Sequence, residues 1–266
     1  MKLAAYQFGV TGCIADNLNK MLGAIGEAAS QGVSLIVFPE CALTGYPPYD
    51  MASAGDVNAD AVEQALGELQ DAADRNGIHV LVGTVARYQE HVYNRAYFLS
   101  PGEPAQQYGK RALYGWDSDN FMPGSGNGVF EIDGVRIGVR ICFEVRFPEL
   151  FRELYRERTD LNIVLFYDTS AENDLHRYEL LKSHLLTRAV ENVTPVLSVN
   201  SIGQAGVPAT YQTAPTCMID ASGNVLAERE RNVEGMLVYD FSKRKLNFGE
   251  IGRKLFSDKL TGRSEG

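Results

Sequence analysis

The segment Gly134-Val-Arg-Ile-Gly-Val-Arg-Ile-Cys-Phe-Glu-Val-Arg-Phe-Pro-Glu-Leu-Phe151 decides how the chain is interpreted. Apolar residues alternate with arginine and glycine over residues 135–141, and this period of two predicts a β-strand. Pro148 suits the first turn of a helix, and apolar residues follow it at helical spacing. Cys142 therefore lies where a strand gives way to a helix, a place where open α/β sheets carry reactive groups. A lone cysteine in an apolar run is more often a small buried hydrophobe, but Cys142 is also a candidate nucleophile.

Length, charge and cysteine content restrict the class of protein. The chain has 266 residues, 45% of them hydrophobic, which is enough for a sizeable core. Its formal net charge of -9 argues against nucleic acid or an anionic membrane as a partner. The N-terminal residues predict no signal peptide, and no run of about 18 apolar residues could cross a membrane. The four cysteines are few and far apart, which predicts reduced thiols in a cytoplasmic protein.

Strand-like and helix-like segments alternate along the chain, and hairpins are added to them. Asp133-Gly134, between two apolar segments, predicts one hairpin, and Asp220-Ala-Ser-Gly223 predicts another. There is no linker and no break in composition. The pattern predicts a single α/β domain of layered sheets and helices over residues 1–240. Residues 241–266 are a polar tail that could contact a partner subunit.

Three predicted strand ends carry a residue with reactive chemistry: Glu40, Lys110 and Cys142. Each alone has a plainer explanation, since glutamate and lysine are mostly exposed. Together they make chemical sense, because a thiol becomes a good nucleophile only when a base or a cation favours its deprotonation. None of the four histidines lies near these strand ends, so a Cys-His dyad is the less economical hypothesis. The histidines and cysteines also lack metal-ligand spacing, and the sequence predicts no metal and no other cofactor.

The same residues form motifs of a known family. Phe38-Pro-Glu40, Tyr108-Gly-Lys110 and Ile141-Cys-Phe-Glu-Val-Arg-Phe-Pro-Glu149 resemble the three signatures of the nitrilase superfamily, the carbon–nitrogen hydrolases. Their order and spacing agree with that family, and the similarity runs from about Lys2 to Tyr239. Three ordered motifs are a specific signal, whereas any one of them alone would be weak.

The resemblance implies a four-layer α-β-β-α sandwich that pairs with a second subunit as a homodimer or a higher homo-oligomer. It implies a small-molecule amide, ureide or nitrile as substrate, with Cys142 as nucleophile and Glu40 as base. Lys110 and the backbone N–H of Phe143 would hold the oxyanion of the tetrahedral intermediate. Water would then hydrolyse the acyl-enzyme, unless another acceptor takes the acyl group.

Five further residues are candidates for substrate binding. Many members of the family carry a second glutamate where this chain has Asp117, whose side chain is shorter by one methylene. Arg146 could bind a substrate carboxylate or form a salt bridge with a nearby acid. Glu144 could line the pocket or support the structure behind it. Tyr46 and Tyr167 could form pocket walls, although aromatic residues at strand ends often serve packing alone.

The residues after Cys142 discriminate among the branches of the family. Cys142-Phe-Glu144 followed by Arg146-Phe-Pro-Glu149 resembles the amidase-type branch, which includes the ω-amidases. This favours amide hydrolysis, with N-carbamoyl hydrolysis and nitrile hydrolysis as alternatives. A hypothesis of another class is a non-catalytic binding or regulatory subunit on the same scaffold, in which Cys142 would be unreactive.

Overall fold

Two six-stranded sheets form the interior of the computed structural model, which describes residues 1–202 and 210–262. In chain order the strands are Lys2–Gln7 (β1), Leu35–Val37 (β2), His79–Tyr88 (β3), His91–Leu99 (β4), Gln106–Gly109 (β5), Val129–Ile132 (β6), Val135–Ile141 (β7), Leu161–Phe166 (β8), Thr169–Ser170 (β9), Val196–Asn200 (β10), Tyr211–Gln212 (β11), Cys217–Ile219 (β12), Val225–Glu228 (β13) and Gly235–Asp240 (β14). The helices are Ile14–Ser30 (α1), Ala59–Asn76 (α2), Asp117–Asn120 (α3), Pro148–Arg156 (α4), Leu175–Asn192 (α5) and Phe248–Leu260 (α6).

The two sheets have the same internal plan. The first has the order β14-β1-β2-β3-β4-β5, and the second has the order β13-β12-β10-β8-β7-β6. Three parallel strands lie at the centre of each sheet, and antiparallel strands flank them. The central strands are β1, β2 and β3 in the first sheet and β7, β8 and β10 in the second. The predicted hairpin joins β6 to β7, with Asp133 and Gly134 at φ values of 48° and 75°. This left-handed pair matches the right-handed twist of the strands.

Alternation along the strands explains how the layers stack. Ile137, Val139 and Ile141 of β7 point into an apolar layer that they share with Leu35 and Val37 of β2, so the sheets pack face to face. On the outer face of the first sheet lie α1 and α2, and on the outer face of the second lie α4 and α5. The predicted four-layer α-β-β-α sandwich is confirmed.

The tail predicted as polar contains a helix. Asn247 and Glu250 form a capping box at the start of α6, a local signal for a helix in an otherwise polar segment. Near its end, the hydroxyl of Tyr155 in α4 donates to Asp258 at 2.7 Å. Phe248 is nevertheless 93% exposed, so part of the helix's apolar surface remains uncovered in the single chain. No helix in the described part of the chain is both long and apolar enough to cross a membrane.

Candidate active site

Glu40 lies in a tight turn after β2, at the centre of the first sheet. The turn crosses over Gly83 of β3, where an added Cβ would lie 2.4 Å from the carbonyl oxygen of Pro39 and 2.7 Å from Cα of Glu40. Only glycine admits the turn at this distance. The Glu40 carboxylate is completely buried: Oε1 accepts from Asn94 and Lys110, and Oε2 accepts from the N–H of Tyr167 at 2.9 Å.

Lys110 follows β5, the edge strand of the same sheet. Its backbone N–H donates to the carbonyl of Asn94 at 2.8 Å, and its ammonium is buried. The ammonium lies between two carboxylates, 2.8 Å from Oε1 of Glu40 and 2.7 Å from Oδ2 of Asp117. Burial opposes the ammonium charge, but the negative charges around it raise the pKa of Lys110 well above its usual value. The two carboxylates therefore favour the ammonium form of Lys110.

Asp117 reaches Lys110 despite its shorter side chain. It begins α3, and both of its oxygens are engaged: Oδ2 accepts from Lys110 and from the N–H of Tyr114 at 3.2 Å, and Oδ1 accepts from the hydroxyl of Tyr46. The backbone of α3 brings the carboxylate close enough to replace the missing methylene. Tyr46 thereby joins the same buried network.

Cys142 is half-buried at the end of β7, where the backbone turns sharply. Its φ of 47° is rare for a residue with a side chain, and such conformations are typical of functional sites. Burial and then the charge of Glu40 raise the pKa of Cys142 well above its usual value, while Lys110 opposes this rise. The resting thiol therefore keeps its proton, and it would need a base to become a nucleophile.

Glu144 supports this turn from behind. Its Oε2 accepts from the N–H of Ile141 at 2.7 Å, and its Oε1 accepts from the hydroxyl of Tyr108 and the N–H of Arg111, both at 2.8 Å. The side chain is completely buried and is not among the residues that line the cavity beside Cys142. The prediction that Glu144 contacts substrate is therefore corrected: its carboxylate fixes the backbone next to Cys142.

A cavity of about 450 Å³ opens beside Cys142. Six other residues predicted for the site line it: Tyr46, Lys110, Asp117, Phe143, Arg146 and Tyr167. The rings of Tyr46 and Tyr167 stack with their centroids 5.0 Å apart and form an aromatic wall. The cavity therefore brings together groups from both sheets, with Glu40 directly behind Lys110.

Two arginines of the described chain line the cavity, Arg146 and Arg177, and within residues 1–202 and 210–262 only Arg177 has an acidic partner. Arg177 of α5 binds Asp168 through two contacts, Nε to Oδ1 at 2.7 Å and Nη2 to Oδ2 at 2.6 Å. Arg146 is half-buried beside the ring of Phe143, and it has no salt bridge with any residue in 1–202 or 210–262. The alternative that Arg146 pairs with a nearby acid is therefore wrong for the described chain, and its guanidinium remains available to a ligand.

Sequence reasoning missed the Asp168–Arg177 pair. Asp168 directly follows Tyr167 at the end of β8, so its position along the strand was a usable signal. Arg177 carried no such signal, because its contact depends on where the start of α5 lies against the sheet. Asp174 caps that helix and fixes Arg177 one turn into it. Among the described residues, no group of three or more His, Cys, Asp or Glu side chains is arranged to hold a metal ion.

Comparison with known proteins agrees with the fold and the motifs. Residues 2–246 match the family model of the carbon-nitrogen hydrolases, so the chain belongs to that family, within the nitrilase superfamily. It is accordingly an enzyme that acts on carbon–nitrogen bonds. The family assignment made from the three motifs is confirmed.

Among relatives, a 2-oxoglutaramate amidase of Bacillus subtilis (strain 168) is 32% identical over 240 residues, which cover 88% of each protein. An (R)-stereoselective amidase of Pseudomonas sp. is 29% identical over 233 residues, covering 87% of this chain and 82% of that protein. Among solved structures, a variant of the Nesterenkonia AN1 amidase from the nitrilase superfamily superimposes with a TM-score of 0.80 at 25% identity, covering 91% of this chain and 90% of that one.

Proposed function

We propose that this protein hydrolyses the carbon–nitrogen bond of a small amide through an acyl-enzyme on Cys142. The observation that carries the proposal is the buried Glu40–Lys110–Asp117 network beside Cys142, at the wall of a cavity of about 450 Å³. The similarity to amidases supports an amide over a nitrile or an N-carbamoyl compound. No cofactor is needed for this chemistry.

The chemistry follows from the positions of the groups. Glu40 takes the thiol proton, and the sulfur attacks the amide carbon. Lys110 and the backbone N–H of Phe143 stabilise the negative charge that develops on the carbonyl oxygen. Glu40 then gives its proton to the leaving amine. A water molecule, deprotonated by the same carboxylate, hydrolyses the thioester and restores Cys142.

The cavity supports a substrate that carries an acidic group. Arg146 lines it and has no acidic partner in the part of the chain that the structure describes, and a planar guanidinium binds a carboxylate through two parallel hydrogen bonds. Tyr46 and Tyr167 would cover the flat amide face of the substrate, and Asp117 would orient the amide through Lys110 and Tyr46. The name of the Bacillus relative, a 2-oxoglutaramate amidase, also describes an amide with a carboxylate.

The test is ammonia release from matched small amides with and without a distal carboxylate, together with N-carbamoyl compounds and nitriles. We expect the acidic amides to react fastest, and Cys142→Ala to lower the rate by about three orders of magnitude or more. Cys13→Ala is the matched control, since Cys13 is exposed at the start of α1 and should leave turnover unchanged. Arg146→Gln should raise KM for acidic amides and spare neutral ones.

Intact mass after incubation with substrate separates the classes of function. An acyl adduct on Cys142 supports the amidase, and faster turnover of N-carbamoyl compounds or nitriles would reassign the substrate. If no compound in the panel is turned over and Cys142 resists alkylation, the protein is a non-catalytic binding or regulatory subunit. Hydroxylamine in place of water would reveal an acyl-enzyme that transfers its group to another acceptor.

We also propose that the tail, residues 241–266, follows a catalytic domain of residues 1–240 and contacts a second copy of the chain. Phe248, Phe256 and Leu260 of α6 are 93%, 67% and 86% exposed, an apolar surface larger than isolated exposed residues need. Light scattering after size exclusion should give at least twice the 29.3 kDa chain mass, and Phe256→Ser should reduce it. A monomeric wild type would refute the homodimer. The free cysteines support a reducing compartment such as the cytoplasm.

A further inference from the structure

A buried asparagine of β4 contacts both polar residues that the first sheet brings to the site. Asn94 is 1% exposed. Its side-chain Nδ2 donates to Oε1 of Glu40 at 2.7 Å, and its backbone carbonyl accepts from the N–H of Lys110 at 2.8 Å. One residue therefore sets the position of the carboxylate and of the strand end that carries the ammonium.

The hydrogen bonds to Glu40 distinguish its two oxygens. Each carboxylate oxygen can accept about two hydrogen bonds. Oε1 already accepts two, from Lys110 at 2.8 Å and from Asn94. Oε2 accepts one, from the N–H of Tyr167 at 2.9 Å. The acceptor position that remains open for a further proton is therefore on Oε2.

We propose that Asn94 is a positioning residue of the catalytic carboxylate: together with Lys110 it occupies Oε1 of Glu40, so that Oε2 takes the proton of the Cys142 thiol. In this step the S–H bond breaks and an Oε2–H bond forms. The electron pair left on sulfur is then free to attack an electrophilic carbon. The inference rests on the proposed function only in taking Cys142 as nucleophile and Glu40 as its base.

Asn94 also carries a feature that packing does not explain. Its Oδ1 is buried, and no hydrogen-bond partner is found for it in the described chain. An unpaired buried acceptor is unfavourable, and asparagine is a poor residue for the interior of a strand. Leucine has a similar volume and would avoid both problems. What distinguishes Asn94 from other buried strand asparagines is its pair of contacts, Nδ2 with Glu40 and the backbone carbonyl with the N–H of Lys110.

Other groups that carry or can carry charge face Glu40 from every side. Lys110 comes from the end of β5, Asp117 from α3, Cys142 from the end of β7, and Cys41 and Tyr46 from the loop after β2. Burial raises the pKa of Glu40, while Lys110 and the Asn94 amide lower it. Loss of the amide should therefore raise this pKa further, because a donor stabilises the carboxylate and not the acid.

The test is the rate at which iodoacetamide alkylates Cys142 as a function of pH, followed by intact mass. The exposed Cys13 is replaced by alanine throughout, so that it does not compete. In Asn94→Leu we expect the acidic limb of the profile to move up by about one pH unit. Alkylation should then be about tenfold slower below the limb, and it should approach the wild-type rate above it.

Asn162→Leu is the matched control. Asn162 is a buried strand asparagine whose side-chain Nδ2 has no hydrogen-bond partner among the described residues, but it lies in β8 and contacts Thr159, away from the cavity. A merely structural effect would change the rate of Cys142 alkylation by the same factor at all pH values. We therefore expect Asn162→Leu to leave the acidic limb where it is in wild type. Asn94→Ala is made in parallel in case Asn94→Leu does not fold. An upward shift of the acidic limb in either folded variant supports the inference.

An unshifted limb in a folded Asn94 variant would overturn the inference. This outcome differs from a failure of the proposed function. If wild type cleaves no amide but its alkylation shows the Asn94-dependent limb, the amidase proposal fails and the role of Asn94 stands. If amides are cleaved and the limb stays in place, only the role of Asn94 fails.

Discussion

The two sheets contribute to the same cavity in opposite ways. The first sheet and the loop after it supply Glu40, Lys110 and Asp117, which are completely buried and bonded to one another. The second supplies Cys142, which is half-buried. Its backbone forms a turn with φ at 47°, and the N–H of the residue before it donates to Glu144. Charges in a low-dielectric interior need partners, whereas a nucleophile must keep its reacting atom free. Each sheet meets the requirement of the group that it carries.

The buried network of the first sheet contains one cation and two carboxylates. If both carboxylates are ionised, one negative charge is in excess, and neutral donors must stabilise it. The donors are Asn94 and the Tyr167 N–H on Glu40, and the Tyr46 hydroxyl and the Tyr114 N–H on Asp117. Lys110 is the cation between both carboxylates, so its loss should disturb the network more than the loss of any one of these neutral donors.

Replacement of Lys110 by methionine should have the largest effect, because it removes the cation and keeps the volume. We expect activity to fall by about 10³-fold or more, with the loss of about 3–5 kcal/mol of unfolding free energy that follows when a buried pair is broken. Without the ammonium, the pKa of Glu40 rises further above its unfolded value. The folded state then binds more protons than the unfolded state, so stability falls as pH rises.

The stability penalty for Lys110→Met should therefore be small below about pH 3, where the Glu40 carboxyl is protonated in both states, and should grow toward neutral pH. Denaturant unfolding at several pH values measures this. Lys20→Met is the matched control, since Lys20 pairs with Glu234 at 2.8 Å on the surface, with 40% of its side chain exposed. Lys20→Met should lower the unfolding free energy by about 1 kcal/mol or less. If the two variants lost the same unfolding free energy, the buried network would contribute no more to stability than a surface ion pair does.

The parts of the site that the sequence predicts are those encoded by a few neighbouring residues. The alternation in 135–141 and the Asp133-Gly134 turn define β7, and they place Cys142 at its end. Glu40 and Lys110 follow strand ends in the same way. The motifs then identify the family, and with it the order of the layers.

What the sequence could not show depends on contacts between distant elements. The reach of Asp117 depends on the short helix α3, whose four residues, Asp-Ser-Asp-Asn, include no apolar residue that could reveal it. The side chain of Glu144 turns away from the cavity because the backbone around Arg111, from another strand end, supplies its donors. Arg177 meets Asp168 only because α5 starts beside the end of β8. None of these contacts has a periodic pattern that could predict it.

Replacement of Gly83 by alanine should lower activity less than Lys110→Met does. It tests whether each sheet positions its own catalytic group. The added methyl would lie 2.4 Å from the carbonyl of Pro39, so the turn that carries Glu40 must move. Displacement of a catalytic group by about 1 Å can cost about 10²-fold in rate, and we expect a fall of about 10- to 100-fold in kcat with little change in KM. Because Cys142 is held by the other sheet, its turn should remain intact.

The Ile141 N–H, which donates to Glu144 beside the Cys142 turn, should therefore keep its wild-type protection from hydrogen exchange in Gly83→Ala. Gly67→Ala is the matched control: Gly67 lies in α2, and no other part of the described structure comes within 4 Å of an added Cβ. It should leave kcat unchanged and stabilise the protein by about 0.5–1 kcal/mol, because alanine favours a helix interior. If Gly83→Ala instead lost this protection, the two sheets would not position their groups independently, since movement of the Glu40 turn would then have displaced the turn that carries the nucleophile.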